Sequence, residues 1–271
     1  MLKPRLIFTL LYDNGNFMLS RNFRLQKVGD INWLEKNYNF SEIAFSIDEL
    51  VILDVSRDRK NSPSFCDVVK QLNKSCFVPI AAGGGVTDMQ NVSDLFKHGA
   101  DKIVVNSSLF YNPDLCKEIV LKYGKQCLIA SVDVAYIDKE YKVRINNGKE
   151  SLSFPIKEWL EIILRLNVGE IYLNSIDRDG TGQGYLFELL NFLPEKISVP
   201  LIFAGGAGNE KHLLEGLNEQ KIDAVATAHL FNFVGSGLKL ARESIIEGGF
   251  NLPKWDIDLA KRLKSESSKM S

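Results

Sequence analysis

Several classes of protein are excluded by what this chain of 271 residues lacks. It has only four cysteines (Cys66, Cys76, Cys116 and Cys127), none in a C-x-x-C pair, and three widely separated histidines (His98, His212 and His229). Such spacing gives neither a disulfide framework nor a zinc site, so no metal or other cofactor is expected, and scattered thiols suit a reducing cytoplasm. No charge dominates: 33 basic residues stand against 34 acidic ones, for a net charge of −1. Nucleic acid is therefore not an expected partner, because phosphate-backbone binding draws on a basic surplus or stripe. Long hydrophobic runs are missing as well. The apolar stretch at 6–12, behind Lys3 and Arg5, is seven residues long and leads into Asp13-Asn14-Gly15 without a small-residue cleavage site. It reads as a buried strand, and nothing approaches the ~20 apolar residues of a membrane span. The expectation is a cytoplasmic protein with neither signal peptide nor membrane anchor.

What is present is a regular alternation. Eight short, almost continuously apolar runs occur at 5–10, 49–54, 78–82, 102–106, 127–133, 170–175, 199–204 and 224–228. Strands of a parallel sheet covered on both faces read this way. Helical patterns lie between them, as at 88–97 with Asp88 as N-cap and Gly99 beyond the end, at 113–122 opening on Pro113 and closing at Gly124, and at 154–165. Eight βα units in order predict a (β/α)8 TIM barrel, a single domain over 1–271. A doubly wound open sheet is the competing architecture, but no G-x-G-x-x-G follows the first strand.

An internal repeat favours the barrel. Glu49-Leu-Val-Ile-Leu-Asp matches Glu170-Ile-Tyr-Leu-Asn-Ser, Ile80-Ala-Ala-Gly-Gly-Gly matches Ile202-Phe-Ala-Gly-Gly-Ala, and Ala100-Asp-Lys-Ile-Val matches Ile222-Asp-Ala-Val-Ala. Leu6–Leu11 then falls on Leu128–Asp133, so the chain reads as two fused half-barrels, about 1–124 and 125–250. Residues 138–150 alternate polar and apolar and predict a small hairpin inserted after the fifth strand; 12–20 reads as a loop and 265–271 as a frayed tail.

In such a barrel the chemistry belongs at the C-terminal strand ends. Gly84, Gly85, Asn106 and Ser107 close strands three and four; Gly205, Gly206, Ala228 and His229 close seven and eight at equivalent places. Glycines there, with the N-termini of short helices behind them, suit two phosphate sites for a ligand phosphorylated at both ends, although glycine after a strand also simply permits a tight turn. Asp133 ends strand five and could serve as general acid or base, or bond loop amides; its repeat mate is Leu11, and Asp13 lies two residues past that strand end. Asp54 ends strand two, and Asp177, Asp179, Gly180 and Thr181 crown strand six, where they could hold ligand hydroxyls or phosphate or order the loop. At the opposite face, Arg5, Glu49, Lys102 and Glu170 begin strands one, two, four and six. They could form a closed ring of alternating sign, which by itself reads as a solvated salt-bridge ring of little energetic weight.

With the repeat, the glycine pairs, Ile47-Asp-Glu-Leu-Val-Ile-Leu-Asp54, Ala100-Asp-Lys102 and Ser175-Ile-Asp-Arg-Asp-Gly-Thr181, the chain resembles the cyclase subunit of imidazole glycerol phosphate synthase from residue 2 to about residue 250. The resemblance implies a glutaminase docked on the N-terminal barrel face, ammonia passing through the barrel, and a charged gate at Arg5, Glu49, Lys102 and Glu170. It also implies two catalytic aspartates at positions 11 and 133 and a mobile-loop lysine at position 19. This chain has Leu11, Asp133 and Leu19 there. Loss of one member of an acid/base pair commonly costs about 10²–10⁴ in rate. Retained gate and lost cyclase residues resemble the paralogous branch associated with surface-polysaccharide synthesis, in which ammonia is supplied to an N-acetyl-sugar amidotransferase that makes acetamidino sugars. The alternatives are a working histidine-biosynthesis cyclase, with Asp13 the only nearby substitute base, and a non-catalytic scaffold that senses a phosphorylated metabolite. The auxiliary isomerase of the histidine pathway shares the repeat but also needs an aspartate where Leu11 stands.

Overall fold

The computed structural model describes residues 3–38, 40–43, 45–57 and 63–253; the expected tail at 265–271 lies outside them. Eight parallel strands close a barrel: β1 (Arg5–Asp13), β4 (Glu49–Asp54), β5 (Ile80–Gly83), β6 (Lys102–Val105), β7 (Leu128–Ile137), β10 (Glu170–Ser175), β11 (Leu201–Ala204) and β12 (Ala224–Thr227). Each pairs with the next, β12 returns to β1, and β7–β10 completes the cylinder. The TIM barrel expected from the alternation is the fold observed. No helix among the described residues is long and apolar enough to cross a membrane.

Period-2 alternation divides the strand residues between two cores. Those facing outward, such as Leu6, Phe8, Leu50 and Ile52, join a large cluster with the surrounding helices. Those facing inward form a smaller one, with Ile7, Val51, Ala81, Val104, Ile129 and Tyr172 among its members. Two helices that follow strands three and seven are capped alike: Asp88 accepts from the Asn91 amide before α4 (Met89–Lys97), and Asn209 accepts from the His212 amide before α8 (Glu210–Asn218).

Two expectations need correction. The residues at 12–20 are not a loop. β1 runs on to Asp13, turns through Asn14 and Gly15 at positive φ, and pairs with β2 (Asn16–Arg21), which pairs with β3 (Arg24–Gly29). The hairpin after strand five, in turn, is not an insertion confined to 138–150. Its first arm is the barrel strand itself, with Asp133 to Ile137 paired to β8 (Glu140–Ile145), and Asn146-Asn147-Gly148 turns β8 into β9 (Glu150–Ser151). Both extended strands, β1 and β7, carry their hairpins above the C-terminal mouth.

Candidate active site

A cavity of about 390 Å³ opens at that mouth. Asp133 and Leu11 both line it. The Asp133 carboxylate is gripped by two amides: Asn174 donates to Oδ1 at 2.9 Å and Asn106 to Oδ2 at 3.2 Å. Asn106 also donates to the Ser131 carbonyl at 3.0 Å, so its amide is turned to strand five and not to a phosphate position. Leu11 sits between Leu53 and Met18 in the sheet and offers only hydrocarbon to the cavity. Asp13 belongs to β1, not to a segment past its end, accepts from the Asn14 amide at 2.9 Å, and is not among the residues lining the cavity. Leu19 packs against the outer core.

Both glycine clusters line the cavity, as do Ser107, Ala228 and His229. Gly84 and Gly206, repeat mates, have φ of +101° and +112°; a Cβ would strike the Asp54 carbonyl in one case and the Gly184 carbonyl in the other. These positions require glycine for backbone approach, whatever they bind. The helices expected behind the two glycine clusters are, after strands four and eight, shorter or later than anticipated. After strand four there is a single turn, α5 (Ser108–Tyr111), and after strand eight the chain makes turns until Gly237. Ser107 is engaged by the second hairpin, its hydroxyl accepting from the Asn146 amide at 3.0 Å. Burial holds His229 below the ordinary histidine value despite Asp179 nearby, and its Nδ1 accepts from the Asn232 amide at 3.4 Å.

At the crown of strand six the side chains bond to the loop and to both hairpins, and Asp179 and Gly180 also line the cavity. Asp177 accepts from the Tyr136 amide at 2.7 Å and ties the loop to the second hairpin. Thr181 donates to the Arg178 carbonyl at 2.8 Å. Neither lines the cavity. Asp179 is buried and clasps the first hairpin, accepting from the Ser20 hydroxyl and from the Phe23 amide at 3.1 Å; burial pushes its carboxyl up, with those bonds pulling the other way. Gly180, at φ +64°, lets this loop reach the Ser20 carbonyl. Asp54 lines the cavity and accepts from the Ser56 amide at 3.0 Å.

At the opposite face the four charged residues close a ring. Arg5 donates to Glu49 at 2.8 Å and Glu170 at 2.6 Å, and Lys102 donates to Glu49 at 2.8 Å and Glu170 at 2.6 Å. It is not a solvated ring: Glu49 is 2% exposed, and its Oε1 has no hydrogen-bond partner. Burial drives Glu49 above the usual glutamate range against the pull of Lys102 and Arg5. Burial also acts to raise Glu170, but its bonds to Arg5 and Lys102 prevail and hold it low.

Sequence reading missed Asn174, Thr9 and Tyr172. Counting in twos from Glu170 along β10, and from Arg5 along β1, places all three on the inner face.

The fold and site define a class: a closed (β/α)8 barrel with a half-barrel repeat in its sequence, an acidic group held at its mouth and a buried charged ring at its base. The family model of the histidine biosynthesis proteins matches residues 26–235. A protein of Parasynechococcus marenigrum provisionally named imidazole glycerol phosphate synthase subunit hisF2 is 47% identical over 243 residues, 90% of each chain. Subunits named HisF from Chlorobium phaeobacteroides and Chlorobaculum tepidum are each 34% identical over 253 residues, 93% of this chain and 99% of theirs. The chain belongs to the histidine biosynthesis family and to its HisF-like members.

Proposed function

We propose that this HisF-like barrel is the ammonia-receiving subunit of a glutamine-dependent amidotransferase. A glutaminase docks on its N-terminal face, the ring of Arg5, Glu49, Lys102 and Glu170 gates the ammonia, and the nitrogen serves amidation of an N-acetyl sugar in cell-surface glycan synthesis, with a sugar amidotransferase completing the reaction. Phosphorylated ligand is held by backbone at Gly84, Gly85 and Ser107 and at Gly205, Gly206, Ala228 and His229. The observation that carries this reading is Leu11: a hydrocarbon side chain faces the cavity where a second acid/base group would be needed, while Asp133 is kept in place by Asn106 and Asn174. The higher identity to the protein named hisF2, 47% against 34%, supports a branch apart from the HisF subunits.

The second reading is the imidazole glycerol phosphate synthase cyclase of histidine biosynthesis, and the names of all these relatives favour it. The two separate in an assay with the cyclase's ribulosyl phosphate substrate and excess ammonium salt, which bypasses any glutaminase. The wild-type chain, Leu11→Asp and an authentic cyclase are compared. Turnover about 10²-fold or more below the authentic enzyme is expected for the wild type. Turnover near that of the authentic enzyme overturns the amidation reading in favour of the cyclase.

A further inference from the structure

Between the charged ring and the upper cavity lies the barrel's interior. Along the inner face of β10 stand Glu170, Tyr172 and Asn174, and along β1 stand Arg5, Ile7, Thr9 and Leu11, each step of two residues rising about 6.6 Å. Tyr172 is the one aromatic member of an inner cluster otherwise made of Ile, Val and Ala. Its hydroxyl lies 3.0 Å from the Thr9 hydroxyl, and both residues are buried yet line the upper cavity. Ile7, Val51, Ala81, Ile129, Ile202 and Ala224 belong to the inner cluster but not to the cavity lining; they make up its apolar part below the floor. The sequence from base to mouth is charge, hydrocarbon, the hydroxyl pair with buried Ser131 at the same level on β7, then Asn174 donating to Asp133.

We propose that the Thr9–Tyr172 hydroxyl pair is the station at which ammonia leaves the apolar middle of the barrel and enters the upper cavity, an inference that rests on the ammonia-receiving role argued above. Apolar surroundings pass neutral ammonia and reject ammonium, whose desolvation is far more costly. A molecule stripped in this way needs a polar contact on arrival. Two hydroxyls that share one bond retain one further proton and spare lone pairs, so the pair can donate to the ammonia nitrogen and accept from its N–H. Burial raises the Tyr172 phenol far above neutrality, so it stays a donor. No proton changes owner in this transfer, and Asn174 and Asp133 are the next polar groups above. A core position that served packing alone would take Phe in place of Tyr172 and Val in place of Thr9. Both side chains are positioning residues for the incoming nitrogen.

The test uses the full chain with its co-expressed glutaminase, supplied with glutamine labelled with ¹⁵N at the amide in competition with unlabelled ammonium chloride. The acceptor is the ribulosyl phosphate, or an N-acetyl sugar in the presence of the sugar amidotransferase. In Tyr172→Phe the glutamine-derived share of product nitrogen falls about three- to tenfold, the worth of one hydrogen bond. Thr9→Val alone leaves a buried phenol unpaired and tests folding. Tyr172→Phe/Thr9→Val removes both hydroxyls, so its stability returns toward wild type while the glutamine share stays low. An unchanged share in Tyr172→Phe, or a double variant that regains coupling together with stability, overturns the inference and leaves the proposed function standing. If the wild-type complex aminates neither acceptor from either nitrogen source, the proposed function falls and this inference falls with it.

Discussion

Glu170 concentrates the electrostatics of the base. Its carboxylate accepts from Arg5 and Lys102 at 2.6 Å each, and these bonds outweigh burial to lower its pKa. A lowered folded value means stability that is fully present above the ordinary glutamate value of 4.5 and lost as the pH falls through the folded one. Glu49, raised by burial, works in the opposite sense, its contribution being present below 4.5 and lost as pH rises through the raised value. Glu170→Gln therefore destabilises most near neutrality, by about 3–5 kcal/mol for breaking a buried charge network. Urea midpoints measured from pH 7 to pH 3.5 should show the gap to wild type shrinking on the acid side; a constant gap refutes the assignment. The residues of this ring were legible because four charges at four strand starts are conspicuous against apolar runs. Their burial was not legible, since nothing in a strand's sequence says whether its first residue is covered by the barrel's own interior. Nor were the partners of Asp177 and Thr181, which lie on the second hairpin and within the turn.

Elements were legible where one local signal sufficed. The caps of α4 and α8 are an example, with Asp88 and Asn209 standing 121 residues apart in the two repeats. Removing either side-chain oxygen by Asp88→Ala or Asn209→Ala should cost about 1 kcal/mol by chemical denaturation, the usual worth of an N-cap, and the two losses should add because the helices follow different strands. The first hairpin was missed although Asp13-Asn14-Gly15-Asn16 is a strong two-residue turn signal and its mate after strand five was recognised. What obscured it is that β2 and β3 are short: the apolar run of β2 is only Phe17-Met18-Leu19, and no residue of β3 is fully buried. The hairpin is held down from strand six: Asp179 binds Ser20 and Phe23, and Asn22 donates to the Ile176 and Asp177 carbonyls at 3.0 and 2.9 Å. Asp179→Ala removes the clasp. Amide hydrogen exchange across residues 16–29 should then accelerate by one to two decades, about 1.5–3 kcal/mol of local stability, with the barrel strands unchanged.

At the scale of the whole molecule, the barrel separates its charged base from its upper cavity by an interior that is mostly hydrocarbon, with Thr9, Tyr172 and Ser131 as buried polar side chains at the cavity floor. The base is where a glutaminase is proposed to dock, and it presents more than the charged ring. Phe77, three residues before β5 and therefore at the N-terminal end of that strand, is 61% exposed. An exposed aromatic at the end of the barrel where a partner is proposed to dock is the kind of anchor that carries a large share of an interface's energy. Co-expression of the chain with the glutaminase of its own source should yield a complex on affinity purification and gel filtration. Phe77→Glu, at a position that does not line the upper cavity, should weaken that complex by about 2 kcal/mol or more, roughly 30-fold in Kd. Lys102→Met instead leaves Glu49 and Glu170 without one cation and should lower stability while altering coupling. Equal binding by the Phe77→Glu variant would place the docking surface elsewhere on the base, and a chain that captures no glutaminase at all would remove the reason for a gated interior.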